Sequence, residues 1–157
     1  MIYLDNSATT KPHEDVLKTF LAVNEQYFAN PASIHRAGVE SNALLTKARE
    51  QLANILHTEE KNILFTSGGT ESNNAAIFGL AKSSNFRGKH IITTEIEHPS
   101  ILEAVKRLEE EGYEIDYLKV NKYGIISLEE LKQKLRKDTI IVSIMHVNNE
   151  MGAIQPI

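Results

Sequence analysis

The sequence predicts an α/β fold: a mostly parallel sheet with helices on both faces. Two observations predict it. Short apolar stretches rich in β-branched residues alternate with segments of helical periodicity from residue 62 to residue 145. The last stretch, "TIIVSIM" (139–145), is continuously apolar, as a strand buried on both faces of a parallel sheet should be.

The elements follow in order. "MIYL" is a short apolar start before the polar "DNSATTKP". Val16, Leu17, Phe20, Leu21, Tyr27 and Phe28 recur at helical spacing between Glu14 and Phe28. "ANPASIHRAG" interrupts the pattern with Pro31 and Gly38. A second helix then places Ala43, Leu44, Ala48, Leu52, Ile55 and Leu56 on one face. "NILFT" (62–66) reads as a strand, residues 71–82 as a helix, and "HIITT" (90–94) as a strand. Pro99 suits a helix first turn; that helix carries Ile101, Leu102, Val105 and Leu108 and ends at Gly112. "EIDYLKV" (114–120) is the next strand. Ser127 and Glu130 form an S-x-x-E capping box ahead of Leu128, Leu131 and Leu135. Counting 62–66, the sheet is expected to hold four strands.

The chain's 157 residues allow one domain with a real core. A net charge of −4, spread along the chain, argues against a nucleic-acid-binding surface, which needs clustered Lys and Arg. No apolar run approaches the ~20 residues that span a bilayer, and the start shows no secretory signal. Without cysteine there is no disulfide framework. A cytoplasmic protein is the reading these features support. The six histidines show no ligand spacing, so no metal site is expected.

Ligands of parallel α/β sheets gather at the carboxyl ends of strands, where loops enter helices. "SGGTES", "EIEHPS" and "HVNNE" lie at such ends. Gly68 and Gly69 let a ligand approach the backbone, Thr70 adds a hydroxyl, and the free N–H groups of a helix start favour an anion. The same stretch also serves as a tight turn with Ser67 or Thr70 as N-cap. His98, at a helix N-terminus, is expected to prefer the neutral form. It can stack on a flat heteroaromatic ring, exchange a proton, or sit solvated in a loop. Asn148 and Asn149 can hydrogen-bond a ligand oxygen or build an Asx-turn. His35 and Arg36 can meet a carboxylate or be plain surface residues.

Taken together, "YLDNSATT" (3–10), "NPASIHRAG" (30–38), "FTSGGTESNN" (65–74), "IITTEIEHPSIL" (91–102), "GIISLEELK" (124–132) and "VSIMHVNNEMGAIQPI" (142–157) resemble, in order, the motifs of cysteine desulfurases. These are pyridoxal-phosphate enzymes of the class V aminotransferase group. The resemblance implies a fold type I transferase large domain, here incomplete, with residues 1–15 near the active site and residues 16–157 the N-terminal part of the cofactor domain. It implies pyridoxal 5'-phosphate as cofactor, with Gly69 and Thr70 on its phosphate. His98 matches the catalytic histidine stacked on the pyridine ring, and Asn149 the asparagine at the ring oxygen. Asn6, Ala8 and Thr9 match a segment passing near the substrate. Ala29 stands where the family usually has Gly before "NP".

The implied activity removes sulfur from L-cysteine, leaving alanine, and passes it to an iron–sulfur scaffold or a tRNA-thiolation enzyme. A homodimer is the implied assembly. The family's Schiff-base lysine, the acid at the pyridine nitrogen and the persulfide cysteine match nothing in this sequence. The chain is therefore expected to be an N-terminal portion, inactive alone. Selenocysteine lyase and cysteine sulfinate desulfinase belong to the same group, and a non-catalytic dimerising module is the alternative outside enzymes.

Overall fold

The computed structural model describes residues 2–157. The chain forms two compact units, one ending at Phe65 and the other covering Thr66–Ile157.

The first unit holds α1 (Glu14–Gln26), α2 (Arg36–Ile55) and a 3-10 turn over Glu60–Asn62. Glu14 and Asp15 put acidic charge at the start of α1, where the helix dipole favours it. His35 caps α2, its Nδ1 accepting the Gly38 N–H at 3.2 Å. Both helices follow the expected period, but the apolar stripes are not buried. Val16, Leu17, Phe20 and Leu21 of α1 are exposed, as are Leu52, Ile55 and Leu56 at the end of α2. A helical stripe becomes core only when another element covers it; in this unit Leu44 and Ala48 of α2 are half-buried, and the rest of both stripes lies open. The expected strand at 62–66 is also absent. Ile63 has extended dihedrals after the 3-10 turn, yet residues 63–66 pair with nothing among the described residues. Extended backbone without a ladder partner is not a strand.

The second unit contains α3 (Gly69–Ser84), β1 (His90–Thr94), α4 (Pro99–Glu110), β2 (Glu114–Leu118), α5 (Leu128–Lys134) and β3 (Thr139–Val142). The sheet thus has three strands rather than four, all parallel, in the order β2-β1-β3. Adjacent isoleucines of β1 face opposite ways, as the pleat requires. Ile91 packs with Ile77 and Ala81 of α3 and with Ile101, Ala104, Val105 and Leu108 of α4. Ile92 packs on the other side with Leu118, Ile126 and Leu131 of α5. Helices therefore cover both faces, and the central strand is buried throughout. Gly112 ends α4 at φ 84°, a conformation only glycine adopts freely. Tyr113 then turns inward, its hydroxyl donating to Ala81 O at 3.1 Å.

β3 is shorter and less buried than the run 139–145 implies. It is an edge strand, and only Ile141 is buried. After Ser143 N donates to Ile92 O, the next amide to bond, that of Met145, donates to the Glu97 carboxylate at 2.7 Å. That side chain ends the ladder. Ser127 does cap α5, accepting the Glu130 N–H at 3.2 Å, while Leu135 falls outside the helix.

A polar cluster ties the three strands together beneath α5. His90, almost wholly buried, places Nδ1 2.8 Å from Thr139 Oγ1 and Nε2 3.2 Å from Asp116 Oδ2. Lys134 Nζ donates to Asp116 Oδ1 at 2.9 Å. The Lys134 bond chiefly, with a smaller part from His90, holds the Asp116 carboxyl below the ordinary aspartate range against the opposing effect of burial. A carboxyl lowered on folding stabilises the fold above its unfolded value, about 3.9, and loses that contribution as pH falls through the folded value. Asp116→Asn is therefore expected to lower the urea midpoint at neutral pH, with the gap from the parent closing below about pH 4. A gap independent of pH would show that the carboxylate charge contributes nothing there.

Candidate functional site

Two helix starts meet on one side of the sheet. Asn73, one turn into α3, donates from Nδ2 to Ser100 Oγ of α4 at 2.8 Å. Asn74 adds a longer bond to Ser100 O at 3.5 Å. These contacts join the "SGGT" turn to the "EHPS" turn.

The start of α3 has no side-chain cap. Instead, Glu71 folds back and accepts both the N–H and the hydroxyl of Ser67, each at 2.6 Å. These bonds, the hydroxyl's first, keep the Glu71 carboxyl below its usual range. The backbone amides of Gly69, Thr70 and Glu71 have no acceptor among the described residues. Neither glycine is demanded by the chain itself. Gly68 is extended, and a Cβ at Gly68 or Gly69 would meet nothing within 4 Å. The space over the turn is open, and donors point from a positive helix end. This arrangement suits an anion.

His98 caps α4, its Nδ1 accepting the Ser100 N–H at 3.1 Å, with Pro99 in the first helical turn. His98 and Asn149 line one groove of about 310 Å³, together with Glu95, Pro99 and Asn148. The two asparagines divide the roles the sequence left open. Asn148 is buried and builds the turn: Oδ1 accepts the amides of Glu150 and Met151 at 3.0 and 2.8 Å, and Nδ2 donates to Ile96 O at 3.1 Å. Asn149 is exposed and has no hydrogen bond from its side chain among the described residues. Glu97, also buried, holds the groove's floor by accepting from Thr94 Oγ1 at 2.9 Å and from the Met145 amide. Asn148→Ala should cost about 2 kcal/mol, since it removes three hydrogen bonds made by a buried side chain; chemical denaturation checks this, and a change under about 0.5 kcal/mol would mean the loop holds itself.

The structure thus brings His98 and Asn149 to one groove and starts the neighbouring helix at Gly69 and Thr70. Asn6, Ala8 and Thr9 belong to the first unit, in an exposed turn where the amides of Ala8 and Thr9 point at Asp5 O. In that unit Arg36 is already engaged by Glu40 at 2.8 Å, and His35 is occupied as a cap. Asn73, Glu97 and Ser100 also build this region, and nothing in their immediate sequence marks them out. Thr93 Oγ1, at the carboxyl end of β1, is the one buried side-chain polar atom without a partner among the described residues. No lysine lines the groove. Among the described residues no His, Asp and Glu cluster suits a metal ion, and no helix is long and apolar enough to cross a membrane.

The family described as aminotransferase class-V matches residues 2–157. The chain is 47% identical over 156 residues to cysteine desulfurase IscS of Methanosarcina thermophila, covering 99% of this chain and 39% of that protein. It is 46% identical to cysteine desulfurase IscS of Dictyoglomus turgidum, covering 99% of this chain and 40% of that protein. Among solved structures, a NifS-like protein superposes with a TM-score of 0.94 at 41% identity, over 99% of this chain and 43% of that one. DndA from Streptomyces lividans gives 0.84 at 43% identity, over 99% and 44%. The chain spans about two fifths of the length of the curated relatives it matches.

Proposed function

Because the chain belongs to the aminotransferase class-V family, we propose that it forms the phosphate and ring contacts of a pyridoxal-phosphate enzyme that takes sulfur from L-cysteine. One observation carries the proposal. The α3 start is uncapped, roofed by open space and built on two glycines that no internal contact requires. Their reason lies outside the chain, and a phosphate satisfies it. The names of the similar proteins favour a cysteine desulfurase over the other sulfur and selenium enzymes of the group.

The residues fit the cofactor. The amides of Gly69 and Thr70, with the Thr70 hydroxyl, would hold the phosphate, Asn149 would donate to the ring oxygen, and His98 would lie against the ring. Pyridoxal phosphate supplies the electron sink that lets bonds at an amino acid's α-carbon break. The chain's own part is binding, orientation and a ring N–H at His98. The family's Schiff-base lysine and persulfide cysteine match nothing in this sequence, and the greater length of the relatives would supply them. A dimer, a protein acceptor for the sulfur and a cytoplasmic setting complete the proposal.

The test is an amide-resolved NMR titration with pyridoxal 5'-phosphate and, separately, with pyridoxal. Shifts at Gly69 and Thr70 with the phosphate ester alone are expected. Their absence would remove the phosphate reading. Borohydride reduction followed by intact mass should then give no single stoichiometric lysine adduct.

A further inference from the structure

We propose that Ser100 and Asn73 are positioning residues that hold the His98 ring with its proton on Nε2. The backbone donor sets the direction, because an amide N–H cannot be reassigned. The Ser100 N–H points at His98 Nδ1 at 3.1 Å, so Nδ1 presents a lone pair. Ser100 Oγ also lies 2.8 Å from that nitrogen, and against a lone pair the hydroxyl must donate. The oxygen, its own proton committed, is left to accept. Asn73 Nδ2 stands 2.8 Å away and supplies the donor. Each step fixes the next: the amide of Asn73 orients the hydroxyl of Ser100, and the hydroxyl keeps Nδ1 free of a proton.

Ser100 is buried, so solvent does not compete for its hydroxyl. Nε2 has no partner among the described residues, and His98 lines the groove. The device therefore presents a neutral imidazole N–H to the groove's occupant. That occupant should carry a hydrogen-bond acceptor opposite the ring, such as a phenolate or carboxylate oxygen. The meaning for catalysis rests on the proposed cofactor site, but the tautomer does not.

The test reads the ring nitrogens directly in the full chain, without cofactor, using histidine labelled with nitrogen-15 and His98→Gln to assign the signals. At neutral pH, His98 is expected with Nε2 protonated and Nδ1 bare. Asn73→Asp replaces the donor with an acceptor, turns the Ser100 hydroxyl away, and should shift His98 measurably towards Nδ1 protonation. Ser100→Ala should give part of that shift and Ser100→Thr should restore the parent pattern. The ring signals of His90, held by Asp116 and Thr139, report whether each variant is folded. A protonated Nδ1 in the parent, or folded Asn73→Asp and Ser100→Ala variants with an unchanged His98 pattern, overturns the proposal. If Asn73→Asp does not fold, Ser100→Ala against Ser100→Thr decides. Failure of the cofactor titration with the expected tautomer intact would count against the cofactor site alone.

Discussion

Gly88→Ala is expected to destabilise the second unit by about 3 kcal/mol, the cost of forcing an atom into a well-packed site. Gly88 lies just before β1, and a Cβ there would overlap the carbonyl oxygen, carbonyl carbon and Cα of Asp138, immediately before β3. These are backbone atoms, with no rotamer to move aside. The contact is also where the two strands find their register. His90 N donates to Asp138 O at 3.3 Å, and the ladder is irregular between His90 and Ile91. Pushing Asp138 away would displace Thr139 from His90 and so open the polar cluster beneath α5 as well. Against a typical total of about 5–15 kcal/mol, the urea midpoint should fall steeply. A change within about 0.5 kcal/mol would show that the β1–β3 edge yields without consequence.

How much was legible in the sequence follows from the range of each interaction. β1 could be read because its signal is local: five residues of strand character between turn signals, buried whichever way they face. The start of α4 could be read for the same reason, since His98 and Pro99 cap it from within two residues. The false strand at 62–66 failed on partnership, which composition does not contain. The overlong β3 failed on a single carboxylate: Glu97 diverts the Met145 amide from 48 residues away in sequence. The site divides along the same line. Gly69, Thr70 and His98 sit at helix starts that are legible locally, whereas the choice of Asn149 over Asn148 came only with the family resemblance. The Asn73–Ser100 contact spans 27 residues and exists only because α3 and α4 pack side by side on the sheet.

Gly69→Asp should move stability and binding in opposite directions, the outcome that best separates a cradle for phosphate from a mere turn. Aspartate at the first position of α3 places negative charge at the positive end of the helix dipole, worth about 0.3–1 kcal/mol in favour of the fold. Replacing glycine also restricts the unfolded chain, a smaller effect in the same direction. No steric term opposes either, because a Cβ at Gly69 meets nothing within 4 Å. The fold should therefore become more stable. For a phosphate the same carboxylate occupies the open space and repels the incoming charge. Losing one charge-assisted bond to the Gly69 or Thr70 amide, at about 1.5–3 kcal/mol, weakens pyridoxal phosphate binding by roughly tenfold to a hundredfold. Paired urea denaturation and cofactor titration read both effects on one sample. A stabilised variant that binds as tightly as the parent would place the phosphate elsewhere, and leave the glycines of "SGGT" without a reason.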